Sequence, residues 1–168
     1  MADTTISDNA STKLLEVAER AKRDPHGQFF SLAHLIDLEA LRRAFDRIRP
    51  RAAAGVDGIS KADYEKDLEA NLEGLHMKLR TGRYRHQPIR RVHIEKENGK
   101  TRPIGVSTVE DKIVQGAIRE VLEAVYEQDF LDCSYGFRPG RSAHDAIRAL
   151  DQILSDGAGS WEIGRAHV

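Results

Sequence analysis

The run Ser134-Tyr135-Gly136-Phe137-Arg138-Pro139-Gly140-Arg141-Ser142-Ala143-His144 gathers aromatics, arginines, glycines and a proline just ahead of an apolar-periodic segment. Glycine lets backbone approach a ligand closely, and proline fixes the local path. Arginine offers a planar fork of donors matched to phosphate, and aromatic rings offer faces on which bases stack. A loop of this make-up is suited to hold a nucleic-acid strand. A second cationic stretch lies upstream. Arg80, Arg83, Arg85, Arg90, Arg91, Lys96, Lys100 and Arg102 crowd into 80–102, against only Glu95 and Glu97. That is the pattern of a local phosphate-binding face. A solvated charged surface is the competing reading.

The rest of the composition bounds the answer without naming it. The chain has 168 residues, 32% charged and 40% hydrophobic, and a net charge of −1. Such a length can bury a sizeable core. Near-neutral charge means that any attraction for nucleic acid must come from local clusters. One cysteine, Cys133, excludes an internal disulfide and fits a reducing compartment. Nothing beside it would activate a catalytic thiol. No apolar run approaches the length of a membrane span, and the first residues lack the layout of a signal peptide. The cytoplasm is the expected location.

The elements that must position these residues follow from periodicity. Residues 1–12 are polar and expected to be frayed, and 14–23 suit a short helix. Residues 32–48 have helical spacing, with Leu38, Leu41, Phe45 and Ile48 on one stripe. Residues 51–60 read as a loop. A single amphipathic helix is predicted over 62–80, with Leu68, Leu72, Leu75 and Leu79 on its stripe and a stop at Thr81-Gly82. Residues 89–96 and 101–108 read as two strands joined at Asn98-Gly99, with Pro103 at an edge or end. A helix over 109–128, capped by Thr108 or Ser107, carries Val114, Ile118, Val121 and Val125. A last helix starts after Ser142 and turns Ala146, Ile147, Leu150 and Leu154 inward.

The motif loop resembles the second signature block of group II intron reverse transcriptases. The resemblance extends through Gly55-Val56-Asp57-Gly58, Arg90-Arg91-Val92-His93-Ile94, Asn98-Gly99-Lys100-Thr101-Arg102-Pro103-Ile104-Gly105 and Asp111-Lys112-Ile113-Val114-Gln115, and covers about 41–154. It implies an α/β (α+β) fold: part of the fingers and the entrance to the palm, mainly helical with a β-hairpin. An extension over 1–35 would precede a partial reverse transcriptase domain over 36–162. Trp161 falls where the family opens its first palm strand. Ile163-Gly164-Arg165-Ala166-His167-Val168 then departs from the family and reads as a non-native tail.

The resemblance also implies an RNA-directed DNA polymerase that takes template RNA, a primer and incoming dNTP, uses Mg²⁺, and often serves as a maturase for its intron RNA. Lys96 and Arg102 match hairpin positions that close over the nucleotide triphosphate. Arg138 and Arg141 match strand-contacting arginines. Tyr135 and Phe137 would shape the template path, although Phe137 could equally be core. Arg80, Arg83, Arg85, Arg90, Arg91 and Lys100 are further candidates for phosphate contact. Asp57 is expected to stitch its own loop. The palm aspartates and the Tyr-x-Asp-Asp hairpin do not occur in the sequence. No catalytic residue and no metal ligand is therefore assigned. The alternatives are an RNA-binding module that does not polymerise and a non-functional remnant.

Overall fold

Leu41, Phe45, Leu72, Leu75 and Ile113 are almost wholly withdrawn from solvent, and the elements carrying them define the fold. The computed structural model describes residues 8–95 and 99–156. It is an α+β arrangement of helices and one two-stranded antiparallel sheet. In chain order come α1 (Asp8–Arg23), a 3-10 turn (Ala33–Leu35), α2 (Leu38–Asp46), α3 (Lys61–Glu65) and α4 (Leu68–Arg80). Then follow β1 (Arg90–Glu95), β2 (Thr101–Val106), α5 (Val109–Tyr126) and α6 (Ala143–Ser155). Two compact units divide the chain, the first ending at Gln128 and the second beginning at Asp129. No described helix is long and apolar enough to cross a membrane.

In the first unit α2 packs against α4 and α5, and α1 lies against α5. Gly116 of α5 sits where an added Cβ would stand 3.1 Å from the Ala44 Cβ, so two small residues let these helices approach. Burying a side chain such as Leu41 or Leu75 contributes about 1.5–3 kcal/mol, which makes this cluster the main source of stability. The Phe45 and Tyr64 rings meet at 6.0 Å. Lys61 closes the C-terminal end of α2 by donating to the carbonyls of Ile48 at 2.7 Å and Asp46 at 3.2 Å.

Two predicted helices are each broken by an aspartate. The helix expected over 32–48 begins at Leu38, because Asp37 Oδ1 accepts from the Ala40 N–H at 2.9 Å and caps it. Before it only a 3-10 turn forms. The helix expected over 62–80 is interrupted at Lys66-Asp67, where Asp67 leaves helical geometry (φ −124°, ψ 40°). Asn71 Nδ2 donates to the Tyr64 carbonyl at 3.0 Å across this break. The first helix starts at Asp8 rather than Leu14. In α5 the buried face is Val109, Ile113, Val114, Ala117 and Val121, and the expected stripe residue Ile118 is 40% exposed.

The hairpin runs in register from Arg90↔Val106 to Glu95↔Thr101. Gly99 takes positive φ (72°), as a tight turn requires. Its predicted neighbour Asn98 lies outside the described residues, as do Lys96, Trp161 and the tail over 163–168. In the second unit, α6 begins with a capping box between Ser142 and Asp145. It buries none of its residues. Ile147, Leu150 and Leu154, expected inward, are all exposed. The partner surface that their periodicity calls for is not supplied by the described residues of the second unit.

Candidate nucleic-acid interface

Strand alternation sorts the hairpin's cations onto two faces. The pairing places Arg90, Val92, Ile94, Arg102, Ile104 and Val106 on one face, with Arg102 opposite Ile94. Arg91, His93 and Glu95 occupy the other, opposite Gly105, Pro103 and Thr101. Glu95 therefore does not share a face with Arg102. The side chain of Arg102 is exposed and has no hydrogen-bond or ion-pair partner among the described residues. The same holds for the side chains of Arg80, Arg83 and Arg91. Lys100, just ahead of the return strand, is exposed. Lys96, the second cation expected over a triphosphate, lies outside the described residues.

Two of the candidate cations are occupied within the fold. Arg90 donates from Nε and Nη2 to the Ala54 carbonyl at 3.1 and 2.8 Å. Arg85 donates from Nη1 to the carbonyls of Gly82 and Tyr84 at 3.0 and 2.8 Å. Lys112, which the sequence reading gave no role, donates to the Ala53 carbonyl next to the one that Arg90 holds. Burial lowers the Lys112 pKa, the Arg90 charge adds to that effect, and Asp57 opposes it. The two cations thus anchor the loop containing Gly55-Val56-Asp57-Gly58. Gly55 itself is buried where a Cβ would come within 2.6 Å of the Thr108 Cα and N. Asp57 Oδ1 accepts from the Ile59 N–H at 3.2 Å, the local stitch expected of it.

The start of α5 holds a buried carboxylate, Asp111, that the sequence marked only as part of a family motif. Asp111 accepts from the Tyr84 hydroxyl, from the Gln87 N–H at 3.2 Å and from Thr108 Oγ1 at 2.8 Å. Thr108 Oγ1 in turn accepts from the Asp111 N–H and caps the helix. Burial pushes the Asp111 carboxyl up, but these hydrogen bonds outweigh it and hold the group below the usual carboxylate range. The Tyr84 hydroxyl is pushed well up, by burial first and by Asp111 second. The spacing Thr108-x-x-Asp111 resembles a capping box and was the available signal. Its long-range partners Tyr84 and Gln87 had none. Another pairing without a sequence signal is Glu120, buried on α5 between Arg43 (3.1 Å) and Arg47 (3.3 Å).

The motif loop of the second unit is braced by its own arginines. Arg138 Nη1 donates to the carbonyls of Leu131 at 2.9 Å and Ser134 at 2.8 Å, and its guanidinium lies 5.0 Å from the Phe130 ring centroid. Arg141 donates to the Asp132 carbonyl at 2.6 Å and lies 5.3 Å from the Tyr135 centroid. Phe137 is not core: it projects fully into solvent. His144 is exposed beyond the cap. Among the described residues no group of three or more His, Cys, Asp or Glu side chains is placed to hold a metal ion.

No protein-family model matches the chain. Individual relatives do. Protein YkfC of Escherichia coli is 45% identical over 102 residues, 61% of this chain and 27% of that protein. The group II intron-encoded protein LtrA of Lactococcus lactis is 33% identical over 157 residues, 93% of this chain and 24% of that protein. An uncharacterised 91 kDa protein in the cob intron of Schizosaccharomyces pombe is 29% identical over 147 residues, 86% of this chain and 18% of that protein. The chain spans about a quarter of the length of the first two. With similarity to intron-encoded proteins running through nearly all of it, including the hairpin and the braced loop, the chain belongs to the group II intron-encoded reverse transcriptase and maturase family.

Proposed function

We propose that the chain is the fingers and palm-entrance portion of an RNA-directed DNA polymerase of the group II intron type, and that it contacts template RNA and the incoming dNTP. The observation that carries this reading is the set of exposed arginines whose side chains have no partner among the described residues, Arg80, Arg83, Arg91 and Arg102, on and beside the hairpin. Charged side chains that make no internal bond are available to phosphate. Arg102, on the face with Val92 and Ile104, is assigned with Lys96 to the triphosphate, where an arginine can bind bidentately. Arg91, on the opposite face, is assigned to RNA together with Arg80, Arg83 and Lys100. Arg85 and Arg90 shape the site through the carbonyls they hold.

The family resemblance implies Mg²⁺ for the full-length enzyme, where it would activate the primer hydroxyl and stabilise the leaving pyrophosphate. The carboxylates described here do not fit such an ion. Asp111 spends its oxygens on Tyr84, Gln87 and Thr108, and Asp63 and Asp145 close capping boxes. In this reading the metal-binding aspartates belong to a part of the longer protein outside these 168 residues.

Ultraviolet cross-linking of the purified chain to a single-stranded RNA, followed by peptide mapping, tests the proposal. Cross-links are expected within 80–106 and 134–141. Cross-links confined to 8–50 would contradict the assignment.

A further inference from the structure

Arg90 opens β1 and lies on the hairpin face that carries Arg102. Its Nε and Nη2 both donate to the Ala54 carbonyl, 36 residues back in the chain. Lys112, near the start of α5, donates to the adjoining Ala53 carbonyl. One short piece of loop is therefore held by the hairpin at one residue and by α5 at the next. Asp111, beside Lys112, holds the two feet of the hairpin. It accepts from Tyr84 and Gln87 ahead of β1 and from Thr108 behind β2. These bonds join the hairpin to the helical core at its base, and all of them lie within the first unit.

Arg102 stands opposite Ile94, four residues beyond Arg90 on the same face. At about 3.4 Å per residue it lies about 13 Å along the hairpin from the clamp. A tilt of about 10° at the base would carry it through about 2 Å on a lever of that length. Bonds from a guanidinium to phosphate form over a narrow range, about 2.7–2.9 Å, so a displacement of that size breaks them. A fixed base pre-organises the arginine and lowers the cost of binding.

We propose that Arg90 and Lys112 are positioning residues for nucleotide recognition: by clamping the carbonyls of Ala54 and Ala53 they set the tilt of the hairpin, and so the reach of Arg102 toward a triphosphate. This rests on the assignment of Arg102 to the triphosphate. It removes Arg90 from the phosphate contacts that the family resemblance implies for it.

The test is a double-mutant cycle, read by nuclear magnetic resonance titration of the 168-residue chain with dTTP at about 0.15 M salt, where a charge about 13 Å away is screened. Arg90→Ala and Lys112→Met should each weaken dTTP binding at least about threefold, through lost pre-organisation alone. Arg90 is exposed and Lys112→Met keeps the apolar stem, so both variants should remain folded in thermal melts. In the Arg102→Ala background, either substitution should change the affinity by less than about 1.5-fold, because the contact it serves is already gone. Additive losses would return Arg90 to direct phosphate binding and overturn the proposal. Lower melting temperatures with parental dTTP affinity would reduce the clamp to a structural role and overturn it as well. If Arg102→Ala binds dTTP like the parent, or the parent binds none, the assignment of Arg102 fails and this inference fails with it.

Discussion

Asp111 shows how little of a residue's role its neighbours in sequence reveal. It is a buried acceptor for the Tyr84 hydroxyl, the Thr108 hydroxyl and the Gln87 N–H, and so joins three chain segments. Its folded pKa is depressed. Its contribution to stability is therefore fully present above its unfolded value, about 3.9, and is lost as pH falls through the lower folded value. Asp111→Asn should cost about 2 kcal/mol at neutral pH, in line with hydrogen bonds to a charged group. The gap to the parent should close as pH drops below about 4, which thermal melts across that range would show. A gap that widens in acid would mean that the carboxylate is not the stabilising form. Arg102 belongs to the same scale. Its side chain lacks an internal partner among the described residues, so Arg102→Ala should leave the fold intact. It should reduce dNTP binding about tenfold while leaving single-stranded RNA affinity within about twofold. Nuclear magnetic resonance titration of the chain with each ligand separates the two effects.

At the scale of elements, the loop between α2 and α3 is fixed from both sides. Arg90 and Lys112 hold its carbonyls, and Gly55 lies directly on the backbone of Thr108. Gly55→Ala should destabilise by about 2 kcal/mol or more, because the obstructing atoms are backbone and cannot rotate away. Gly58→Ala meets nothing within 4 Å and should cost only about 1 kcal/mol for its positive φ of 72°. Urea denaturation of both variants gives the ordering, and a reversed order would refute the close approach. The hairpin, α5 and α6 were legible in the sequence because each follows from a local signal: alternation around Asn98-Gly99, a threonine cap, a serine capping box. The breaks at Asp37 and Asp67 were not, because Leu35 and Tyr64, ahead of each aspartate, keep helical spacing with the stripes that begin at Leu38 and Leu68. Stripe periodicity records which face is buried, whereas local side-chain bonds decide where the helix starts. At the site, the exposed arginines were readable from composition. The inward turn of Arg90, Arg138 and Arg141 was not, because composition does not distinguish a guanidinium facing solvent from one facing carbonyls.

For the whole molecule, the two units differ in what they bury. The first has a continuous core from α2 through α5, and α6 of the second buries nothing. Both α5 and α6 carry apolar stripes, and that of α5 is met by α1 and α2. In hydrogen exchange, amides of 143–155 should therefore exchange well before those of 109–121. Equal protection of the two helices would mean that α6 gains cover in solution. The exposed Ile147, Leu150, Ile153 and Leu154 should also favour self-association. On the reading above, the 168-residue chain should incorporate no nucleotide on a primed RNA template, with or without Mg²⁺, because the sequence lacks the palm aspartates. The central claim is that a chain of net charge −1 engages RNA through locally concentrated arginines. The most direct measurement is the affinity of the purified chain for single-stranded RNA over a series of salt concentrations. The account predicts binding at low salt and a straight fall of log affinity with log salt, with a slope of several phosphate contacts at about 0.7 each. No binding at low salt, or an affinity indifferent to salt, would contradict it.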